Sequence, residues 1–270
     1  DTRQDGKTFY ITRRNEEYNG TGNLLHYKET TTTKDTLTKG DVLDTVTEVE
    51  WTAETGDYDE FNRVTHYAET ITKDGEETKI LWTADGYTDN NQLTGYAEID
   101  TKGGISVITI RRINEYYDNG LIKSYKDTIT YSNKPDFKET VGMSDITYIG
   151  DRITGFTKTD TKKGTDKDGN TILNNTVTTT RDEAETVYDG YNLIKYKDTI
   201  QDSADPNWKR VITRDNIKYR LGMVQGYDEE TLYQGSTAEF ISYSISLHKD
   251  INYTETGSQK DYTETLTDTR

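Results

Sequence analysis

Hydrophobic positions along this chain are sparse, and they recur in one phrase: a Tyr, a short polar turn, an aliphatic residue, two spacers, then Tyr or Phe. Seven stretches satisfy it in full. Four of them run Tyr18–Leu24–Tyr27, Tyr58–Val64–Tyr67, Tyr87–Leu93–Tyr96 and Tyr116–Ile122–Tyr125. Three more have a turn one residue shorter: Tyr148–Ile153–Phe156, Tyr188–Leu193–Tyr196 and Tyr219–Val224–Tyr227. An eighth, from Tyr253 to Tyr262, keeps the spacing but has Gln259 in the aliphatic place. The closing aromatics at 27 and 156 lie 129 residues apart, and so do those at 67 and 196. A four-phrase block of about 130 residues is thus duplicated, as tandem arrays are. The blocks run from about residue 18 to 147 and from 148 to 270, in a single array over 1–270.

Between phrases the residues are strand formers, and each interval reads as two strands joined by a hairpin. Arg63 to Thr72 is followed by the turn Lys73-Asp74-Gly75 and a returning strand through Ile80, Leu81 and Trp82. Lys102-Gly103-Gly104 likewise leads into the strand from Ile105 to Ile110; with no helix after it, it is a hairpin turn and not a phosphate loop. The pattern predicts an all-β chain of about sixteen antiparallel strands, two per phrase. The expected architecture is an elongated tandem-repeat array of β-hairpins: a ribbon, a spiral or a solenoid. In the two 40-residue intervals the surplus falls in Thr30 to Thr47 and Lys158 to Thr180, as longer strands or protruding loops.

Strand alternation then assigns faces. The aliphatic residue and the closing aromatic are three apart, so opposite faces are expected. One carries an aliphatic stripe of Leu24, Val64, Leu93, Ile122, Ile153, Leu193 and Val224. The other carries an aromatic ladder of Tyr27, Tyr67, Tyr96, Tyr125, Phe156, Tyr196, Tyr227 and Tyr262. Stacked aromatic rows stabilise a sheet, and they also offer platforms for sugar rings or a path for electron hopping; packing is the preferred reading.

Composition sharpens this picture. Leu, Ile, Val and Phe number 49 of 270 residues, a share at which highly charged chains are usually disordered. Against that stand only 2 Pro, 21 Tyr and 48 Thr, which favour extended β structure with a thin core. A net charge of −16 opposes nucleic-acid binding. No apolar run approaches a membrane span. The chain has no Cys, hence no disulfide or thiolate metal site. It starts at Asp1 without an initiator Met or leader, and the eighth phrase sits close to its other end, so a segment cut from a longer chain is expected.

The stretch Tyr58-Asp59-Glu60-Phe61-Asn62-Arg63-Val64 resembles the YD repeat of Rhs-type bacterial toxins and teneurins. Tyr18-Asn19-Gly20-Thr21-Gly22-Asn23-Leu24 and Tyr188-Asp189-Gly190-Tyr191-Asn192-Leu193 look like variants of it. The Tyr-x-Glu-Thr continuation is also similar to filamentous-haemagglutinin-like repeats of very large secreted bacterial proteins. The resemblance implies a spiralling antiparallel ribbon on the outside of a cell, and in the toxin branch a shell around a cargo.

Candidate chemistry is thin. His26, His66 and His248 are scattered, with His26 and His66 each just before a closing Tyr, which suits equivalent ladder positions better than catalysis. Asp166, Asp168 and Asn170 have calcium-loop spacing, but Thr171 and Val177 stand where Gly and the bidentate Glu belong, so a hairpin turn is preferred. Asn19, Asn174 and Asn252 open glycosylation sequons. No catalytic, cofactor or metal residues are assigned. The expected function is a structural repeat segment of a secreted or cell-surface fibre, with adjoining repeats or further copies as head-to-tail partners. The alternative is a glycan-binding adhesin, whose region would be Thr231 to Asn252 with Tyr233, Phe240 and Tyr243.

Overall fold

A computed structural model of the chain describes residues 7–35, 45–73, 75–166, 168–220, 223–235, 241–253 and 259–269. Among them the structure is all-β, an array of successive antiparallel hairpins with no α-helix. The only helical piece is a single 3-10 turn at Thr55–Asp57. Among the described residues no helix is long and apolar enough to cross a membrane. The chain divides into two compact units, Asp1–Asn114 with Lys126–Glu139, and Glu115–Tyr125 with Thr140–Arg270.

In the first unit the strands are β1 (Lys7–Tyr18), β2 (Leu24–Asp35), β3 (Thr45–Thr52), β4 (His66–Lys73), β5 (Glu76–Tyr87), β6 (Leu93–Lys102) and β7 (Ile105–Tyr116). They pair in chain order, each antiparallel to the next. β8 (Ile122–Tyr131) and β9 (Lys134–Ile149) have residues in both units. The second unit continues with β10 (Arg152–Thr165), β11 (Thr171–Arg181), β12 (Val187–Asp189), β13 (Asn192–Asp202), β14 (Trp208–Arg220), β15 (Met223–Gly235), β16 (Ile241–Tyr253) and β17 (Gln259–Thr269). β10, β11, β13 and the later strands pair successively, and β12 lies against the start of β13.

The short β12 is the strand beyond the expected sixteen. It arises in a 40-residue interval, where five residues, Asp182 to Thr186, separate β11 from β12, the strand that holds the opening Tyr188. The other long interval has the same interruption, Ala53 to Asp57, before Tyr58, which makes only an isolated bridge to Val64. Lys158 to Thr180 lengthens β10 and β11, and residues 36–44 of the first interval lie outside the described residues.

Among the described residues the phrase turns join an opening strand to a closing strand, as β1 to β2 and β5 to β6, with the turn after Tyr58 the exception. Gly103 and Gly104 make the tight hairpin between β6 and β7 with φ of +58° and +78°, a left-handed pair that other residues rarely adopt. The core is as thin as the composition implies: among the described residues only Trp82, Ile146, Ile217 and Ile251 are buried hydrophobics. Threonine supplies much of the remaining cohesion through cross-strand hydroxyl pairs, Thr161–Thr176 and Thr147–Thr154, both at 3.0 Å.

The strands are bulged at several phrases. Across β1–β2 and β14–β15 the register shifts once opposite the closing aromatic and again just after the aliphatic residue. Asn15, Asp145 and Asn216, each three residues before an opening Tyr, carry the left-handed φ of these bulges, which Asn and Asp tolerate best. The next residues, Ile146 and Ile217, are among the few that bury fully.

Candidate functional site

The residues that recur at each phrase meet at the seam between one repeat and the next. The residue after the opening Tyr can fold the turn. Asn19 Oδ1 accepts from the backbone N–H of Thr21 (3.0 Å) and Asn23 (2.9 Å), and Asp59 Oδ1 from those of Phe61 and Arg63 (both 2.9 Å). At these two phrases the side chain after the opening Tyr mimics a backbone turn, while the other phrases mostly carry different residues there, such as Thr88, Tyr117 and Ile149.

The opening Tyr itself reaches back to the preceding repeat. Tyr87 donates its hydroxyl to the carbonyl of Val64 at 2.6 Å, Tyr148 to Ile122 at 2.7 Å, Tyr188 to Ile153 at 2.7 Å and Tyr219 to Leu193 at 2.9 Å. Tyr58 makes the same bond to Leu24. In all five the acceptor is the aliphatic residue of the phrase before. Burial pushes the Tyr58, Tyr87 and Tyr148 phenols above their ordinary value, so they remain protonated donors. Contacts also run forward: Asn23 Nδ2 donates to Asn62 Oδ1 (3.1 Å), Arg63 to Asn91 Oδ1 (3.0 Å), and Arg152 to the Gly190 carbonyl. Arg63 and Arg152 lie over the next opening rings, Tyr87 at 4.6 Å and Tyr188 at 5.2 Å.

A second recurring row crosses the strands. Six closing aromatics have one residue directly opposite on the next strand: Tyr27–Trp51, Tyr67–Trp82, Tyr96–Arg111, Phe156–Arg181, Tyr196–Arg214 and Tyr227–His248. That interposed residue then faces an acid two residues beyond the next closing aromatic. Arg181 forks onto Asp198 with both bonds at 2.8 Å, Arg111 onto Asp127 at 2.7 Å, and Arg214 meets Glu229 at 2.7 Å. Where the interposed residue is Trp, the facing acids are Glu69 and Glu98, and burial raises both above the usual carboxylate range. In the first unit the row is therefore stacked rings; in the second it alternates ring and guanidinium, with Arg181 4.2 Å from Tyr196 and Arg214 4.3 Å from Tyr227.

The position before the closing aromatic faces the interposed residue's carbonyl. It is Gly in three repeats. A Cβ on Gly226 would stand 2.8 Å from the His248 carbonyl oxygen, and one on Gly95 would strike that of Arg111. In another repeat His66 takes the place and meets the Trp82 carbonyl through Nδ1 at 2.9 Å. His26, equivalent in sequence, bridges strands: Nδ1 lies 3.0 Å from the Asn15 carbonyl and Nε2 3.1 Å from Glu50.

Of the expected aromatic ladder, Tyr27, Tyr67, Tyr96, Phe156, Tyr196 and Tyr227 all join these rows, and Tyr125 is half-buried on β8. The Tyr262 side chain lies outside the described residues. The aliphatic stripe residues are half-buried, and their carbonyls, not only their side chains, hold the seam. The opening tyrosines and the interposed Trp and Arg residues went unassigned in the sequence, although the opening Tyr was already part of the phrase.

The calcium-like stretch is a turn: Asp166 Oδ1 accepts from the N–H of Asp168 (2.9 Å) and Asn170 (2.8 Å), and Oδ2 from the Asn170 side chain. Among the described residues no group of three or more His, Cys, Asp or Glu could hold a metal. His248 meets Ser246 Oγ (3.0 Å) and Glu264 (3.7 Å) through the same nitrogen, whereas a Ser–His–acid relay uses the two ring nitrogens separately. In the stretch proposed for glycans, Tyr233 lies on β15, while Phe240 and the side chain of Tyr243 are outside the described residues. No family model, no curated protein and no solved structure matches the chain.

Proposed function

We propose that this chain is a structural repeat segment of a secreted or cell-surface fibre, without catalysis, whose partners are adjoining repeats or further copies met head to tail. The observation that carries the reading is the hydroxyl–carbonyl bond from each of five opening tyrosines to the repeat before it. Such bonds couple nearest neighbours, the property on which a repeat array depends. The ladder favours the fibre over the adhesin because its ring faces are already in use: Tyr67 and Trp82 stack at 5.1 Å with planes 17° apart, leaving no broad face for a sugar. The test is immunogold microscopy of producing cells with an antibody to this chain, together with the mass of the polypeptide it recognises. Labelled surface filaments and a polypeptide much longer than 270 residues are expected; a soluble monomer of this length would refute the reading. A glycan array with the purified chain, showing binding abolished by Tyr233→Ala with the fold intact, would replace it with the adhesin.

A further inference from the structure

In the first unit five rings form one unbroken row: Tyr27, Trp51, Tyr67, Trp82 and Tyr96, with centroids 5.7, 5.6, 5.1 and 5.9 Å apart. At each end an ion-paired arginine lies over the ring, Arg13 at 4.2 Å from Tyr27 and Arg111 at 5.5 Å from Tyr96. Its middle is flanked by Glu69 and Glu98, cross-strand partners of Trp51 and Trp82. Neither Glu makes an ion pair among the described residues, whereas the equivalent Glu29 and Asp127 are held by Arg13 and Arg111. The second unit has no such row, since Arg181 and Arg214 stand between its rings.

Removing an electron from a ring leaves a positive charge there. At the ends the arginine charge is offset by Glu29 and Asp127, whereas the two carboxylates without an ion pair favour that charge on the central rings. We propose that this row is a hole relay, which takes up a one-electron oxidation, passes it between touching rings and localises it at Tyr67. The inference is independent of the fibre reading. The oxidant is a diffusible one-electron radical such as the azide radical, which becomes azide as Trp51 loses an electron. The Trp51 radical cation then regains an electron from Tyr67. The oxidised phenol, half-buried and open to solvent, releases its proton to water, leaving a neutral tyrosyl radical. One electron and one proton leave Tyr67, and both are accounted for.

The relay is tested by pulse radiolysis with azide in a Trp208→Phe background, so that the remaining indoles are Trp51 and Trp82. Decay of the indolyl radical should match the rise of a tyrosyl radical. Tyr67→Phe, which keeps the ring and the stack, should prolong the indolyl radical by an order of magnitude or more; Tyr196→Phe in the second unit should not. Urea midpoints of both variants verify folding, and product mapping by mass spectrometry provides a second readout, with oxidation expected on Tyr67. Equal indolyl decay in the Tyr67→Phe and parent proteins would overturn the proposal. So would oxidation that simply follows exposure, concentrated on Tyr191 and Tyr18 with Tyr67 spared.

Discussion

Changing Tyr188 to Phe removes one oxygen atom and keeps the ring under Arg152. What is lost is the 2.7 Å bond to the Ile153 carbonyl, within a half-buried seam. A neutral hydrogen bond contributes about 1 kcal/mol net, and the loss rises toward 2 kcal/mol if the stranded carbonyl stays dry. Tyr87→Phe and Tyr219→Phe remove equivalent bonds of 2.6 and 2.9 Å and should cost similar amounts. The three bonds have three different acceptors, so together they should cost on the order of 3 kcal/mol, with Tyr188 and Tyr219 coupled because Leu193, which receives Tyr219, is also the register partner of Tyr188. That is a large fraction of the stability of an ordinary domain. Urea unfolding followed by circular dichroism measures it. Each variant should lower the midpoint, and the combined variant should also lower the m-value, because weakened seams let repeats melt separately. Tyr191→Phe is the control, since this Tyr is 85% exposed. If the latch variants shift the midpoint no more than Tyr191→Phe does, the bonds do not hold the seam and the argument for a coupled array fails.

Gly226→Ala should destabilise by about 1–3 kcal/mol because its Cβ meets the His248 carbonyl, while Gly142→Ala, with nothing nearer than 3.9 Å, should change the urea midpoint little. The side-chain bond from Glu50, then the Asn15 carbonyl, raises the His26 pKa, so its stabilising contribution is full below the ordinary His value of about 6.5 and fades as pH climbs through the higher folded-state value. Hydrogen exchange on β1–β3 amides should show this loss of protection at alkaline pH, and His26→Gln should remove the pH dependence. Arg181→Ala leaves Asp198 half of a largely buried pair and should cost about 3 kcal/mol by urea unfolding, with Arg181→Lys recovering only part because the fork is lost. Millimolar calcium should leave the melting temperature unchanged, since the Asp166 oxygens are already bonded to their own turn; a clear rise would reopen the metal reading.

The repeat made the strands, the hairpins and the Gly103-Gly104 turn legible, because Thr- and Tyr-rich runs bounded by turn residues have few other solutions. The seam was only half legible. The opening Tyr recurs visibly, but its partner is a main-chain carbonyl, which leaves no mark in the amino-acid pattern. The interposed residue was hidden for a different reason. It is Trp at 51 and 82, Arg at 111, 181 and 214, and His at 248, residues alike only in offering a flat face to a ring. The bulges at Asn15, Asp145 and Asn216 escaped because a single Asn or Asp within a strand run looks like an ordinary polar position.

The hydroxyl–carbonyl bond has a consequence for how such a chain changes over generations. Each repeat carries both plug and socket: a Tyr that reaches backward and a peptide carbonyl that receives the next Tyr. The socket exists whatever side chain stands there, and Leu24, Val64, Ile122, Ile153 and Leu193 all serve. Unequal recombination that adds or removes whole repeats therefore joins a matching plug to a matching socket at the new junction. A crossover that splits a repeat between its Tyr and its aliphatic residue does not. Length becomes the freely variable trait of the gene and phase the guarded one, and the 129-residue spacing that recurs between the closing aromatics 27–156 and 67–196 is the kind of record that such inheritance leaves.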